Sequence, residues 1–270
     1  MTGPVRLAVL GDPLAYTLSP ILHEQGLQSL GLTGGSRALR TPVAQLPARL
    51  DALAAAGYRG VNLTHPLKQA ALENLDRVSD AARRACSVNT VSFEAGIRSG
   101  DTTDGAGFLD WLATLGRRAS RERAVLLGAG GAARSLALAL RDAGAGVSVA
   151  ARRPAAAAAA WRGIGVDALL AWSSAALEET LASATLVVNA TPLSDPEGLP
   201  APRVLPRRAA IVDLNYGPGV TAWVLMARAE GLEAYDGLGT LVAQARRSLA
   251  LWLGVPPPFQ ALARAVGWPR

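Results

Sequence analysis

The sequence is poor in the residues that staple a fold or hold a metal. It has one cysteine, Cys86, in 270 residues, so no internal disulfide can form. Two histidines, His23 and His65, are too few beside that cysteine to assemble a soft-ligand cluster, and no metal is expected. No apolar run approaches the roughly 20 residues that cross a bilayer, and the N-terminus lacks the charged-then-apolar layout of a signal peptide. These absences point to a reducing, cytoplasmic compartment without a membrane partner. Aromatic residues make up only 5% and are not interleaved with the basic ones. The net charge of +6 is therefore read as a solvated surface, with no nucleic-acid partner, although a positive field favours small anionic ligands.

Lysine is the scarcest cation. Of 27 basic residues only Lys68 is lysine. An arginine does not surrender its proton at working pH, whereas a lysine can be tuned to do so. Lys68 is thus a candidate proton-transfer group before anything is known of its neighbours.

What the chain has in plenty is apolar residues, half of the total, and 28 glycines. Residues 5–11 read as a strand ending in a glycine turn, and Ser19-Pro20 as a helix start with Ser19 as its cap. A short strand near 37–40, a helix over 46–56 and a strand over 58–64 follow. Then come a helix from His65, one capped by Ser79, and a hairpin over 87–98 turning at 94–96. Beyond the polar, glycine-rich stretch 100–107 a helix is expected over 108–115. Later strands are expected at 124–127, 147–151, 185–189, 209–214 and 233–235. Six consecutive alanines, 155–160, favour a helix, residues 192–206 a proline-rich surface loop, and 241–253 an amphipathic helix.

This alternation predicts an α/β chain with mostly parallel sheets and right-handed crossovers. The glycine breaks near 100–107 and 237–239 predict two lobes. Residues 1–103 with 239–270 would form one, 104–238 the other, the last helices returning to the first. Ligands are expected in a cleft between such lobes.

Residues 124–135 carry the sharpest local signal. An apolar run ends at Gly128-Ala129-Gly130-Gly131-Ala132-Ala133 and opens into a helix-forming stretch. Gly128, Gly130 and Ala133 fit G-x-G-x-x-G/A, the turn of a dinucleotide-binding βαβ unit. Gly128 permits the turn, Gly130 lets backbone approach a pyrophosphate, and Ala133 lets helix and strand pack closely. The helix start offers unpaired N–H groups to the phosphates. At the end of the next strand NAD-binding units place an acid; here stand Ala151, Arg152 and Arg153. Two guanidinium groups suit a 2′-phosphate, so the expected cofactor is NADP(H) rather than NAD.

Several further stretches occur in one order along nearly the whole chain. They are Thr17-Leu-Ser19-Pro20, Gly60-Val-Asn62-Leu-Thr64-His-Pro66-Leu-Lys68, Ser87-Val-Asn89-Thr90 and Thr103-Asp104-Gly105. Beyond the glycine turn come Asn189-Ala-Thr191-Pro192, Asp213-Leu-Asn-Tyr216-Gly-Pro218 and Gly237-Leu-Gly239-Thr-Leu-Val-Ala-Gln244. Together they resemble the shikimate dehydrogenase family. The resemblance implies a two-lobed enzyme with a Rossmann-type cofactor domain that reduces 3-dehydroshikimate to shikimate with NADPH in aromatic amino-acid biosynthesis, as a monomer or homodimer. It implies that Thr17, Ser19, Asn62, Thr64, Asn89, Tyr216 and Gln244 line the substrate site, and that Lys68 and Asp104 are the catalytic pair. Thr191 belongs to the cofactor side, with Leu214 and Gly237 where the family contacts the nicotinamide half. The chain departs from the family at Tyr16, Thr17, Cys86-Ser87, Thr102, Ala151 and Thr240. A paralogue acting on quinate or another cyclic polyol acid is the nearest alternative, and a non-catalytic NADP-binding sensor a more distant one.

The residues themselves permit this chemistry. A hydroxyl pair at a helix start is a natural seat for a carboxylate. Lys68 is expected in the first turn of its helix, where the dipole disfavours a cation, while a carboxylate such as Asp104 would hold it. Without the resemblance Asp104 reads first as a helix cap, Tyr216 and Gln244 as core residues with satisfied polar tips, and both histidines as structural.

Overall fold

The computed structural model describes residues 3–14 and 16–270. The chain forms two units, residues 1–107 with 241–269 and residues 108–240 with 270.

The first unit opens with β1 (Val5–Gly11), followed by α1 (Ser19–Ser29), β2 (Gly34–Arg40), α2 (Leu46–Ala55) and β3 (Gly60–Leu63). β2 and β3 pair in parallel with the two edges of β1, so each helix is a crossover. Every residue of β3 is buried, as a strand covered on both faces requires. Alternate residues of β1 enter different cores. Leu7 packs with Leu22, Leu27 and Trp252, while Ala8 and Leu10 pack with Leu50, Val61 and Leu63. After α3 (Leu67–Ala70), β4 (Arg77–Val78) and α4 (Asp80–Arg84) comes the hairpin of β5 (Thr90–Glu94) and β6 (Ile97–Asp101). Ala95 and Gly96 at its tip both have positive φ, 50° and 77°, which matches the twist of a two-residue hairpin. β5 runs antiparallel to β3, and the sheet order is β2-β1-β3-β5-β6-β4.

α5 (Asp104–Thr114) carries the chain into the second unit. There β7 (Arg123–Leu127), α6 (Gly131–Asp142), β8 (Gly146–Ala151), α7 (Pro154–Trp161), β9 (Ala168–Ala171), α8 (Ala175–Ser183), β10 (Leu186–Asn189), β11 (Ala210–Asp213), α9 (Ala222–Ala229) and β12 (Glu233–Tyr235) follow in turn. All six strands pair in parallel in the order β12-β11-β10-β7-β8-β9, that of doubly wound dinucleotide-binding sheets. The chain returns to the first unit along α10 (Leu238–Leu253) and ends with α11 (Phe259–Ala265). Among the described residues no helix is long and apolar enough to cross a membrane.

Several local details differ from the sequence expectation, the short β4 among them. β9 was not anticipated, because Ala-Leu-Leu-Ala has no β-branched residue and lies on a half-buried sheet edge. The proline-rich segment contains two short 3-10 turns, Pro196–Gly198 and Pro202–Val204. Ser19 is not the cap of α1: Leu18 holds that position, and the Thr17 hydroxyl accepts the Ser19 N–H at 3.3 Å.

Candidate active site

In the first unit the carboxyl ends of β1, β3 and β6 and the start of β5 lie at one end of the sheet. The chain leaves this end at Thr64, Thr102 and Gly11 and re-enters at Asn89, so the polar residues of four motifs meet there. Crevices at the carboxyl ends of strands are where open α/β sheets bind ligands.

Lys68 and Asp104 form the centre. Lys68 Nζ donates to Asp104 Oδ2 at 2.5 Å, with both side chains largely buried. The Lys68 backbone is held too, since its carbonyl accepts the Val88 N–H at 2.8 Å. α3 is a single turn continued as a 3-10 turn, so Lys68 does not sit at the start of a long helix. The dipole penalty expected from the sequence therefore has little to act through; the carboxylate contact dominates. Asp104 is the first residue of α5, and its carboxylate is spent on side chains: Oδ1 accepts Asn89 Nδ2 at 2.8 Å.

Asn89 links the rest. The same Nδ2 is 2.9 Å from Thr103 Oγ1 and 3.3 Å from Gln244 Oε1, while its Oδ1 accepts the Thr103 N–H at 2.8 Å. Gln244 arrives on α10, which lies directly against α5: a methyl group at Gly107 would stand 2.6 Å from the Gln244 backbone nitrogen. Asn62, on β3, donates to the Asn89 carbonyl at 2.9 Å, to Ser248 Oγ at 3.0 Å and to Thr90 Oγ1 at 3.1 Å. Five sequence-chosen residues, Lys68, Asp104, Asn89, Gln244 and Asn62, thus share one hydrogen-bonded cluster. Thr64 follows β3 and donates its backbone N–H to Leu10, and Thr17 and Ser19 stand at the start of α1. Tyr216 belongs to the second unit. The sequence reading missed Thr103 and Ser248 as cluster members. Ser248 was recoverable, because it lies four residues after Gln244 on the same helix face.

In the second unit the glycine turn follows β7. Gly128 has φ of 112°, where an L side chain is strained, and a Cβ there would stand 2.8 Å from Thr191 Cγ2. Gly130 caps α6 with open space where its side chain would be, and Ala133 is fully buried against the sheet. The start of α6 therefore presents bare backbone, as an approaching pyrophosphate needs. Ala151 ends β8, Arg152 and Arg153 follow exposed, and no acid stands between them and α7. These residues fit a 2′-phosphorylated dinucleotide. Thr191 is held by Asn189 Oδ1, at 2.6 Å from its hydroxyl and 3.0 Å from its N–H. The Leu214 N–H donates to the Asn189 carbonyl, and Gly237 lies so flat on Leu214 that a Cβ would be 2.2 Å from its carbonyl oxygen. Asp213, one residue earlier, binds Asn189 and Asn215 through Oδ1; burial pushes its carboxyl up against these donors.

The family model of the shikimate dehydrogenase substrate binding domain matches residues 9–91. The shikimate dehydrogenase (NADP(+)) of Thermus thermophilus is 43% identical over 97% of this chain and 99% of its own length. The crystal structure of a Thermus thermophilus shikimate 5-dehydrogenase in complex with NADP(H) and shikimate is similar with a TM-score of 0.87 at 42% identity, covering 97% of this chain and 98% of that one. The ligand-free 5-ketofructose reductase of a Gluconobacter strain shares the fold with a TM-score of 0.85 at 28% identity, covering 99% of each chain.

Proposed function

The chain belongs to the shikimate dehydrogenase family, and from that membership we propose that it catalyses the NADP-linked, reversible reduction of 3-dehydroshikimate to shikimate. The observation that carries the reading is the Lys68–Asp104 pair at 2.5 Å, with Asn89 bonded to Asp104 and Gln244, on α10, bonded in turn to Asn89.

Lys68 is the proton-transfer group. In the reducing direction its ammonium gives a proton to the substrate carbonyl oxygen as the carbonyl carbon gains hydride, leaving a neutral amine; oxidation reverses both transfers. Asp104 aims the amine and, through Asn89, is itself aimed. Thr17 and Ser19, with the start of α1 behind them, receive the substrate carboxylate. Asn62, Thr64, Asn89, Tyr216 and Gln244 keep the substrate-binding roles that the family resemblance implies. Gly128, Ala129, Gly130, Gly131 and Ala132 would cradle the pyrophosphate, with Ala151 letting Arg152 and Arg153 reach the 2′-phosphate. Thr191, Leu214 and Gly237 would hold the nicotinamide half. The bound NADPH supplies the hydride. We place the reaction in the cytoplasm, in a monomer or homodimer.

Oxidation of shikimate and of quinate by the purified chain, each with NADP and with NAD, tests this reading. Shikimate with NADP should be fastest. Faster quinate turnover would reassign the substrate, faster NAD turnover the cofactor, and NADP binding without turnover would make the chain a sensor.

A further inference from the structure

His23 lies on α1, wholly buried, with its ring edge-on to Trp252 at 5.2 Å. Its Nδ1 is 2.8 Å from Ser36 Oγ and its Nε2 is 2.8 Å from Asn62 Oδ1. The backbone decides which nitrogen carries hydrogen. Asn62 Nδ2 faces the Asn89 carbonyl, which can only accept, so Oδ1 is the atom turned to His23. Two acceptors cannot share a bond; Nε2 is therefore the N–H, and Nδ1 accepts from the Ser36 hydroxyl. Burial holds the ring neutral, its pKa lowered to about 4.

From Asn62 the bonds run on to Asp104. The second hydrogen of Asn62 Nδ2 is shared between Ser248 Oγ at 3.0 Å and Thr90 Oγ1 at 3.1 Å, which themselves lie 2.8 Å apart; Thr90 donates to Asn89 Oδ1 at 3.0 Å, and Asn89 Nδ2 donates to Asp104 Oδ1 at 2.8 Å. Asp104 Oδ2 is left for Lys68. Bonds aligned in this way polarise one another. We propose that His23 is a positioning residue for the catalytic pair: its Nε2–H locks the Asn62 amide, and through Thr90 and Asn89 this fixes which oxygen of Asp104 faces Lys68. Without that donor the Asn62 carbonyl is buried unpaired, and turning the amide to solve this withdraws the donors that hold the Asn89 carbonyl and Thr90.

The inference rests on the reading of Lys68 and Asp104 as the proton-transfer pair, and the test separates the two. Wild type, His23→Phe and His23→Gln are assayed with shikimate and NADP. Phe keeps the contact with Trp252 and removes the donor; kcat should fall about tenfold, by more than KM rises, although Asn62 and Asn89 also meet the substrate. Gln can return an N–H near the Nε2 position, and kcat should recover to about a third of wild type or better. Ring-nitrogen NMR of the wild type should show Nε2 protonated and Nδ1 bare. A folded His23→Phe enzyme at full kcat overturns the proposal, as does a ring protonated on Nδ1. Should His23→Phe not fold, the tautomer and the His23→Gln rate decide, a Gln enzyme slowed tenfold or more counting against it. Wild type that does not oxidise shikimate refutes the activity instead, whatever tautomer it shows.

Discussion

Gly107 and Gln244 touch backbone to backbone: a Cβ at 107 would lie 2.6 Å from the Gln244 nitrogen and 2.7 Å from its Cα. The absence of one side chain on α5 is what lets α10 bring Gln244 within 3.3 Å of Asn89. Gly107→Ala should gain up to about 1 kcal/mol of helix propensity. It meets a main chain that cannot swing aside, which costs about 1–3 kcal/mol. The clash wins. Thermal unfolding should show a lower midpoint, and KM for shikimate should rise as Gln244 is pushed outward. An unchanged KM would mean that Gln244 does not touch substrate.

Lys68 can be tested by separating charge from proton transfer. Lys68→Arg keeps the ion pair with Asp104 but places there a group that does not release its proton. Lys68→Ala removes both. Each should lower kcat by about 10²–10⁴-fold, while shikimate binding, measured by calorimetry, persists. Because Lys68 is the chain's only lysine, no neighbouring amine can substitute for it. Turnover near the wild-type rate in Lys68→Arg would assign the proton to another group.

What the residues alone made legible was limited. Lys68 stood out as the only lysine among 27 basic residues, whereas Asn89 and the pairing of Asp104 with Lys68 entered only through the family resemblance, since an aspartate at a helix start reads first as a cap. The turn at Gly128 was legible because few residues tolerate its φ. What was hidden depends on contacts across the chain. Ser248 is an ordinary serine on an amphipathic helix until Asn62, 186 positions away, donates to it. His23 reads as a core histidine, which it is; its tautomer is set by the Asn89 carbonyl, just before β5, acting through Asn62. The cap of α1 was misread because Thr17, two residues earlier, supplies the hydroxyl that Ser19 was expected to give.

Arg152 and Arg153 follow β8 exposed, free of any acid at the strand end. Charged hydrogen bonds to a phosphate are worth about 1.5–3 kcal/mol each. The double change Arg152→Asp, Arg153→Asp should therefore weaken NADP binding by about a hundredfold or more and leave NAD binding unchanged or better, since an acid there suits ribose hydroxyls. Fluorescence titration with both cofactors checks this. Equal loss for NADP and NAD would show that the arginines do not read the 2′-phosphate.

His23 also contributes to how the first unit responds to acid. Its ring meets Ser36, Asn62 and Trp252, none of which ionises in this range, and burial lowers its pKa from 6.5 to about 4. Between those values the unfolded chain binds a proton that the folded chain refuses, so stability rises with pH across the interval. The contribution is complete above the unfolded value and is lost as pH falls towards the folded one. The shift corresponds to about 3 kcal/mol. Urea unfolding of wild type and His23→Gln at several pH values isolates it, because the carboxylates that also titrate there are common to both proteins. The stability of wild type relative to the variant should shrink by about that amount between neutral pH and pH about 4. A difference that stays constant over the interval would show that His23 takes its proton without unfolding, and that the Asn62 carbonyl is not what its ring is held against.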